Sequence, residues 1–253
     1  MTSPLPLAEF PGCHECARFA AGPSGLCFAC AGRKLSRPGA DACLVCAQRR
    51  GADGLCANEL CRSPRRRIAR IRAIGYQAGS LRGCINAYKY RGRREWSVVL
   101  GRLLLGWLAE NMAGDRPDLI VANPGYAGPG GQAFPHAEAV LAAAARASTA
   151  ETAAAVGRWP FDTGKPAAII KTGPTLKSAD AQAWSKKVTG HELRDALAVP
   201  DPGRTAGRFV LVYDDICTTG MQLDAVAGCL LDEGGAARVE GVVLARAPWL
   251  RDK

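Results

Sequence analysis

Two acidic residues, two threonines and a glycine stand close together in VLVYDDICTTGMQLD, residues 210–224, and their order suits a phosphorylated sugar. The apolar run before the acids predicts a buried strand, and the residues after the glycine predict a helix. Backbone N–H groups at a helix start, supported by the helix dipole, bind anions, and threonine hydroxyls add donors. Neighbouring carboxylates accept hydrogen bonds from vicinal hydroxyls. The sequence therefore predicts a site for a 5′-phosphoribosyl group made of Asp214, Asp215, Cys217, Thr218, Thr219, Gly220 and Met221.

Other interpretations of this stretch explain less of it. An acid at a strand end is often the N-cap of the next helix, which accounts for one aspartate but not for two followed by Thr-Thr-Gly. A receiver domain carries a similar acidic sequence at its first strand, whereas about four-fifths of this chain precedes Asp214. A Walker-type nucleotide site is excluded because the chain has no Gly-Lys-Ser/Thr loop.

Eight of the eleven cysteines fall within the first 61 residues, in two similar units. CHECARFAAGPSGLCFAC and CLVCAQRRGADGLCANELC each open with Cys-x-x-Cys, reach Gly-Leu-Cys and end on a fourth cysteine. Four thiolates at tetrahedral angles are what structural zinc prefers, and they leave no coordination position open for catalysis. Metal binding also supplies folding energy that so short a segment lacks. We predict two structural zinc sites, one with Cys13, Cys16, Cys27 and Cys30, the other with Cys43, Cys46, Cys56 and Cys61.

The repeat favours these sequential sites over a cross-braced arrangement in which alternate pairs share an ion, and that arrangement stays open. Iron–sulfur ligation is a weaker alternative, because nothing else in the chain indicates redox chemistry. We interpret His14 as a bystander inside the first pair. The scattered cysteines are interpreted as core or loop residues; they are Cys84, Cys217 and Cys229.

The chain is basic, with 33 Lys and Arg against 23 Asp and Glu and a formal net charge of +10. Eight thiolates and two zinc ions would together lower this charge by four, to about +6. Ten basic residues and no acid lie between Ser63 and Arg94: Arg65, Arg66, Arg67, Arg70, Arg72, Arg82, Lys89, Arg91, Arg93 and Arg94. Such a block favours an anionic partner, either nucleic acid or phosphate, or else is a solvated linker and helix face.

The sequence indicates a cytoplasmic protein. MTSPLPLAEFPGC has neither the basic start nor the long apolar run of a secretory signal. The longest apolar segment, VVLGRLLLGWLA, is interrupted by Gly and Arg and is too short to span a bilayer. We therefore expect reduced thiols and no membrane span.

After the cysteine units the pattern alternates between strands and helices, which indicates a mostly parallel α/β sheet covered on both faces. Strands are predicted at 119–123, 167–170, 208–213 and 239–247, helices at 96–112, 135–156 and 221–233, and a loop followed by a helix at 171–187. Ligands in such folds bind at the carboxyl ends of the strands. We predict a small double zinc-binding module at residues 1–64 and the α/β domain at residues 65–253.

VLVYDDICTTG resembles the phosphoribosyl-pyrophosphate motif of type I phosphoribosyltransferases. GYQAGSLRGCINAYKYRGRREWSVVLGRLL, residues 75–104, is similar to the segment that opens the transferase-like domain of the ComF/GntX family. That family also carries an N-terminal cysteine zinc module, so the resemblance extends over nearly the whole chain. It implies a type I phosphoribosyltransferase-like fold, with Asp214 and Asp215 on ribose hydroxyls and Thr218, Thr219 and Gly220 on the 5′-phosphate.

The resemblance also implies a context. The family is associated with DNA uptake during competence, which implies single-stranded DNA and DNA-processing proteins as partners. Its members have the transferase fold, but a transferase reaction is not assured for them. An active member would use Mg²⁺ with phosphoribosyl pyrophosphate.

The chain departs from the family pattern after the strand LIVAN. The matching region is ANPGYAGPGGQAFPHAE, in which Pro124, Phe134 and Glu138 fit the pattern but Gln132 stands at the arginine position. Departing pyrophosphate builds negative charge that Mg²⁺ and cationic side chains must stabilise, and residues 122–140 contain no Lys or Arg. The candidate replacements are Lys165, Lys171 and Lys177 from the next loop, and Lys89 and Arg91 from the basic helix.

Three functions remain open from the sequence. One is a phosphoribosyltransferase, and another is a non-catalytic accessory protein that binds nucleotide or nucleic acid, with Tyr76, Tyr88 and Tyr90 as the aromatic residues near the basic block. The third is a module that only docks partner proteins. We prefer a ComF-like, phosphoribosyl-binding protein with two structural zinc sites, whose acceptor has no identifiable motif.

Overall fold

The computed structural model describes residues 35–126, 134–149, 158–175 and 192–249. The helices are α1 (Glu59–Arg62), α2 (Gly79–Tyr90), α3 (Trp96–Asn111), α4 (His136–Thr149) and α5 (Met221–Asp232), with a 3₁₀ turn at Pro202–Arg204. The strands are β1 (Arg70–Tyr76), β2 (Leu119–Ala122), β3 (Ile170–Lys171), β4 (Leu197–Ala198), β5 (Phe209–Cys217) and β6 (Arg238–Arg246).

Four parallel strands form the central sheet in the order β1-β6-β5-β2. The short strands β3 and β4 pair with each other in an antiparallel ribbon. Parallel neighbours need crossover connections, which the intervening helices supply. The prediction of a mostly parallel sheet flanked by helices, with a cysteine-rich cluster near the N-terminus, is confirmed.

Strand β5 is apolar along its first half because both of its faces are buried. Leu211 and Tyr213 point into one hydrophobic cluster, which includes Leu104 of α3. Val210 and Val212 belong to the other cluster, together with Val226 of α5. The sheet is therefore the middle of three layers. The two aspartates lie toward the carboxyl end of its central strand β5.

Helices α3 and α4 lie very close to each other. A Cβ atom on Gly101 would lie 2.8 Å from the backbone N of Ala144 and 2.8 Å from the backbone O of Val140. Small residues at this crossing let the two backbones approach, which explains the alanine-rich sequence of α4.

The cysteine unit at residues 43–61 covers the outer edge of the sheet. The N–H of Ile71 in β1 donates to the carbonyl of Val45, at 2.6 Å. Ala47 and Leu60 belong to the same buried cluster as Ile71 and Val226. Side chains on both sides of the 64/65 boundary thus share a core, and that boundary itself stays a prediction.

Several predicted elements differ from the observed ones. Strand β5 does not end at Tyr213 but continues to Cys217, because its last residues keep pairing with β6. Strand β1 was not predicted at all. Residues 1–34, with the first cysteine quartet and His14, lie outside the described residues, as do 150–157 and 176–191. Within the described ranges, no helix combines the length and the hydropathy needed to cross a bilayer.

Candidate functional site

A cavity of about 300 Å³ opens at the carboxyl ends of β2 and β5. Parallel strands end at the same edge of a sheet, so the residues that follow β2 and those that end β5 meet there. The polar side chains used below all line it: Lys89, Asn123, His136, Asp214, Asp215 and Thr218.

Asp215 and Lys89 form an ion pair in this cavity. Lys89 Nζ, from α2, lies 2.8 Å from Asp215 Oδ2 and 3.0 Å from Oδ1. Asp215 is only 5% exposed. Burial alone would lower the pKa of Lys89, but the charges of Asp215 and Asp214 outweigh it, so the pKa of Lys89 is raised. Lys89 therefore carries its charge at neutral pH.

Asp214 has a different environment from its neighbour. Its Oδ2 accepts from Asn123 Nδ2 at 2.8 Å, and its Oδ1 accepts from the N–H of Asp215 at 2.8 Å. Desolvation, followed by the negative charge of Asp215, raises the pKa of Asp214 well above its usual range. Asn123 is 6% exposed, and its Oδ1 has no partner among the described residues. A buried acceptor without a partner among the described residues thus lies next to two carboxyl groups that line the cavity, a polar environment that suits a ligand with hydroxyls.

His136 contributes no charge to this cavity. It makes edge-to-face contacts with the rings of Tyr88 and Phe134, with both pairs of ring centroids 5.0 Å apart. Desolvation, together with the positive charge of Lys89, lowers the pKa of His136. Its imidazole is therefore neutral at pH 7, and Lys89 is the one Lys or Arg among the described residues that line the cavity.

The turn after β5 requires glycine at position 220 for two reasons. Gly220 has φ +85°, in the left-handed region that other residues adopt at a penalty. A Cβ atom there would also lie 2.7 Å from Ile71 Cδ1 and 3.0 Å from Leu60 Cδ2. The absence of a side chain lets the chain turn tightly against the cysteine unit and pass straight into α5.

Donors behind the turn hold three successive backbone carbonyls, those of residues 217–219. Arg246 Nη1 lies 2.8 Å from the first oxygen and also donates to the second. Trp249 Nε1 lies 3.0 Å from the second, and Asn58 Nδ2 lies 2.9 Å from the third. The backbone orientation of the turn is therefore fixed by side chains from distant parts of the chain.

The N–H groups of the same turn are free. Those of Thr218, Thr219 and Gly220 have no acceptor within the part of the chain that the structure describes. The next one, of Met221, makes a long contact of 3.4 Å with Thr219 Oγ1. Successive unpaired N–H groups at the start of a helix form an anion-binding concavity.

Cys217 is not a nucleophile in this arrangement. The residue is 3% exposed, and its Sγ lies 3.4 Å from Arg246 Nη1. Burial raises the pKa of its thiol to about 12, so the reactive thiolate is scarce at neutral pH. Its predicted contribution to binding is thus restricted to the backbone.

The second cysteine quartet forms a compact cluster in which all four sulfur atoms lie within 4.8 Å of one another: Cys43, Cys46, Cys56 and Cys61. The Cys43–Cys61 and Cys46–Cys56 sulfur pairs are 3.8 and 3.7 Å apart. Tetrahedral zinc with Zn–S bonds of about 2.3 Å places its sulfur ligands about 3.8 Å from one another. The donors and spacing therefore fit a tetrahedral metal ion, in the grouping expected of sequential sites.

The acidity of this cluster is uneven. A hydrogen bond from Cys61, opposed by burial and assisted by the charge of Arg246, lowers the pKa of Cys46 to about 4. Burial, followed by the effect of Cys46, raises the pKa of Cys56 to about 11. The thiolate form of Cys46 is thus favoured, and metal binding requires its cysteine ligands as thiolates.

The structure separates the predicted binding residues into two groups. The side chains of Asp214, Asp215 and Thr218 line the cavity. The remaining four form the adjacent turn and helix start: Cys217, Thr219, Gly220 and Met221. Sequence reasoning missed Asn123, which directly follows β2 and lies beside the end of β5 because these two strands pair.

The candidate cations also separate. Lys89 lies inside the cavity, whereas Lys165 and Arg91 are exposed and do not line it. Lys171 Nζ donates a hydrogen bond to Thr175 Oγ1, and Lys177 lies outside the described residues. Of the candidates that the structure describes, Lys89 of the basic helix is the one that brings its positive charge into the cavity.

Much of the basic block has structural roles. Arg66 donates to the carbonyls of Cys61 and Ile68, and Arg72 pairs with Glu240 at 2.9 Å. Other members pair with acids or cover an aromatic ring: Arg67 with Asp232, Arg93 with Glu95, and Arg94 over Phe134. The ten charges therefore do not form one uncompensated surface.

Comparison with solved structures adds a weak likeness to a known protein. No protein-family model and no curated protein matches the chain. A solved structure described as the allosteric regulatory enzyme of purine biosynthesis is similar to it with 17% sequence identity and a TM-score of 0.36. The match covers 63% of this chain and 30% of that chain, so this chain spans less than a third of the solved protein. The chain's own geometry is therefore the basis for its functional assignment.

Proposed function

We propose that the cavity at the end of β5 binds the 5-phosphoribosyl group of phosphoribosyl pyrophosphate or a nucleotide, in a type I phosphoribosyltransferase-like domain of the ComF/GntX kind. One observation carries the proposal. Two residues after a pair of carboxyl groups that line a cavity, three consecutive N–H groups have no acceptor among the described residues. A phosphate attached to a vicinal diol matches that order of donors and acceptors.

The residues then have distinct roles. The N–H groups of residues 218–220 and the two threonine hydroxyls hold the 5′-phosphate, assisted by the dipole of α5. Asp214 and Asp215 accept hydrogen bonds from the ribose hydroxyls. Asn123 Oδ1, which has no partner without ligand, accepts a further hydroxyl. The buried acceptor is satisfied only when the sugar is present.

Lys89 supplies the cation that residues 122–140 lack. Its Nζ neutralises Asp215 in the ligand-free protein, at 2.8 Å. When ribose hydroxyls take over the oxygens of Asp215, Lys89 is free to bind the diphosphate attached to the sugar. Mg²⁺ bound with phosphoribosyl pyrophosphate supplies the remaining charge neutralisation. Transfer of the group needs an acceptor nucleophile beside the sugar. The chain shows no motif that would bind such an acceptor, and the proposal is therefore limited to binding of the phosphoribosyl group.

The cysteine cluster is proposed to hold structural zinc. Four sulfur ligands leave no open coordination position, so the ion takes no part in chemistry at the sugar. The first quartet is proposed to hold a second zinc ion in the same way. Zinc analysis of the purified chain should show two ions per chain, and one ion would restrict the proposal to the cluster that the structure describes.

Thermal unfolding with ligands tests the binding proposal. Phosphoribosyl pyrophosphate with Mg²⁺ and ribose 5-phosphate alone should each stabilise the protein, by about 2.7 kcal/mol at a hundredfold excess over Kd. For a chain of this size, that is an increase in Tm of about 5–10 °C. Asp214→Asn should abolish the increase. Asp195→Asn, an exposed aspartate away from the cavity, should retain it.

The decisive outcome concerns the unmodified chain. If neither phosphorylated sugar raises its Tm, the cavity does not bind a phosphoribosyl group. An equal shift in Asp214→Asn would place the ligand elsewhere on the protein.

A nucleic-acid-binding accessory role is the second candidate, and one surface favours it. Arg65, Arg82 and Arg91 are exposed, and their side chains have no acidic partner among the described residues. Tyr90, which is 73% exposed, is the last residue of α2, directly before Arg91, and can stack on a base. A role in DNA uptake, with DNA-processing proteins as partners, belongs to this candidate.

Fluorescence anisotropy with a labelled single-stranded oligonucleotide distinguishes the two candidates. Binding through this surface should weaken with added salt and persist in Asp214→Asn. The double variant Arg82→Ala/Arg91→Ala should reduce the slope of log K against log[salt] by about 1.4, because each phosphate contact contributes about 0.7. No affinity at low salt would remove this candidate.

A further inference from the structure

A buried arginine connects the cysteine cluster to the turn after β5. Arg246 is 0% exposed. Its Nη1 lies 2.8 Å from the carbonyl O of Cys217 and also donates to that of Thr218. Its Nη2 lies 3.8 Å from Cys46 Sγ. One guanidinium group therefore contacts both the cluster and the turn.

The sheet register places Arg246 at this junction. It is the last residue of β6 and pairs with Cys217, the last residue of β5. A planar guanidinium presents its donors in a fixed fork, so its two contacts are geometrically linked. A shift of Cys46 is thus transmitted to the carbonyls of the turn.

The charge of Arg246 also needs a partner. No carboxylate among the described residues pairs with it, and a buried unpaired charge is strongly unfavourable. Four thiolates around one Zn²⁺ carry two negative charges in excess. The metal-loaded cluster therefore places a net negative charge beside this guanidinium.

A second buried side chain makes the same connection. Asn58, at 2% exposure, lies between the last two cysteines of the quartet. Its Oδ1 accepts from the N–H of Leu60, and its Nδ2 donates to the carbonyl of Thr219 at 2.9 Å. The Leu60 side chain in turn occupies the space that a Cβ on Gly220 would need. The cysteine unit thus packs against the turn and contacts its backbone.

We infer that metal binding at the cysteine cluster sets the conformation of the phosphate-binding turn, with Arg246 as the positioning residue between them. The ligand part of this inference rests on the proposed function, whereas the coupling of metal to turn does not. Coupling between two sites is reciprocal, so a phosphorylated sugar in the turn should strengthen metal binding by the same factor as metal strengthens sugar binding.

The test compares Arg246→Lys with Arg72→Lys in the intact, zinc-loaded chain. Both variants keep a positive charge in the central sheet, but Arg72 pairs with Glu240 and contacts neither the cluster nor the turn. Amide hydrogen exchange is followed at increasing chelator concentration in residues 43–61, in residues 217–221, and at Asp224 and Ala247, whose N–H groups donate to the carbonyls of Gly220 and Cys217 at 2.9 Å. Exchange in residues 43–61 reports metal loss from this cluster separately from the first quartet.

Arg246→Lys should lower the zinc affinity of the cluster by about 10- to 100-fold, as losses of outer-shell partners do. Its amides at Asp224 and Ala247 should exchange about tenfold faster or more in the zinc-loaded state, because the turn carbonyls that accept from them are no longer oriented by the guanidinium. Arg72→Lys should match the unmodified chain in both. If Arg246→Lys matches Arg72→Lys, or if zinc affinity falls while exchange at these two amides is unchanged, the coupling is refuted.

Ribose 5-phosphate separates this inference from the proposed function. In the unmodified chain it should slow exchange of the turn amides and raise the chelator concentration needed to open residues 43–61. Arg246→Lys should lose the second effect. If ribose 5-phosphate does nothing while Arg246→Lys still alters both regions, the coupling stands and the proposed ligand is wrong.

Discussion

Replacing Asp214 by Asn should stabilise the ligand-free protein at neutral pH. Desolvation and the charge of Asp215 raise the pKa of Asp214, so an ionised carboxylate there is unfavourable. Asn is uncharged and keeps an oxygen for the N–H of Asp215. Its new NH₂ group would face Asn123 Nδ2, but the Asn123 amide can turn over and present its unpartnered Oδ1.

The pH dependence of this effect has a definite sign. Because the folded state holds the Asp214 proton to higher pH than the unfolded chain, stability of the unmodified protein falls as pH rises from about 3.9 through the raised pKa. The Asp214→Asn variant does not lose stability in this way, because it has no carboxyl group to ionise at that position. The difference in the free energy of unfolding should therefore be small near pH 4 and reach about 0.5–2 kcal/mol at pH 8. That corresponds to an increase in Tm of about 1–8 °C.

Asp215→Asn is the matched comparison and should act in the opposite direction. It leaves Lys89 without its partner in a cavity where the two side chains are 23% and 8% exposed. Breaking a fully buried pair costs about 3–5 kcal/mol, and the remaining exposure of Lys89 reduces this to about 1–3 kcal/mol. Denaturant unfolding of all three proteins at pH 5 and pH 8 measures both effects. Equal destabilisation by the two variants at pH 8, or a gap that does not change with pH, would refute the reasoning.

Three further predictions concern the turn, the cation and the metal. Gly220→Ala should destabilise the protein by about 1–3 kcal/mol more than Gly207→Ala in denaturant unfolding, because both have left-handed φ but only the first meets neighbouring side chains. An equal loss of stability in the two variants would contradict the effect of crowding at Gly220. Lys89→Met should lower the affinity for phosphoribosyl pyrophosphate about 10- to 100-fold in calorimetry while affecting ribose 5-phosphate less, and equal losses would argue against a diphosphate contact. Cys46→Ser should remove one metal ion per chain and lower Tm, whereas Cys84→Ser, on α2 away from the cluster, should change neither. Retention of all metal by Cys46→Ser would exclude the sulfur cluster as a metal site.

Local patterns in the sequence were sufficient to predict the layers of the fold and the position of the acidic turn. The apolar run of β5 and the helical spacing of α3 arise from burial of neighbouring residues, and periodicity reports that directly. Strand β1 was missed because Arg70 and Arg72 were interpreted as part of the basic block, although their alternation with apolar residues is typical of a strand. One of them, Arg72, is held by Glu240, 168 residues away in sequence.

The cavity is less predictable because its parts are brought together by the sheet order. Asn123 lies 91 residues before its partner Asp214, and Lys89 lies 126 residues before Asp215. The order β1-β6-β5-β2 decides which strand ends are neighbours, and no local pattern encodes it. The extension of β5 through its acids has the same origin, since β6 supplies the pairing that those polar residues would not indicate by themselves.

The position of Arg246 affects the order in which the site can assemble during synthesis. The cysteine unit leaves the ribosome early, yet Arg246 follows Cys46 by 200 residues. A nascent chain that has produced β5 and α5 still lacks the guanidinium that orients the turn between them. Fragments that stop before β6 should therefore fold in part without orienting the turn, because β6 carries the guanidinium that contacts its carbonyls.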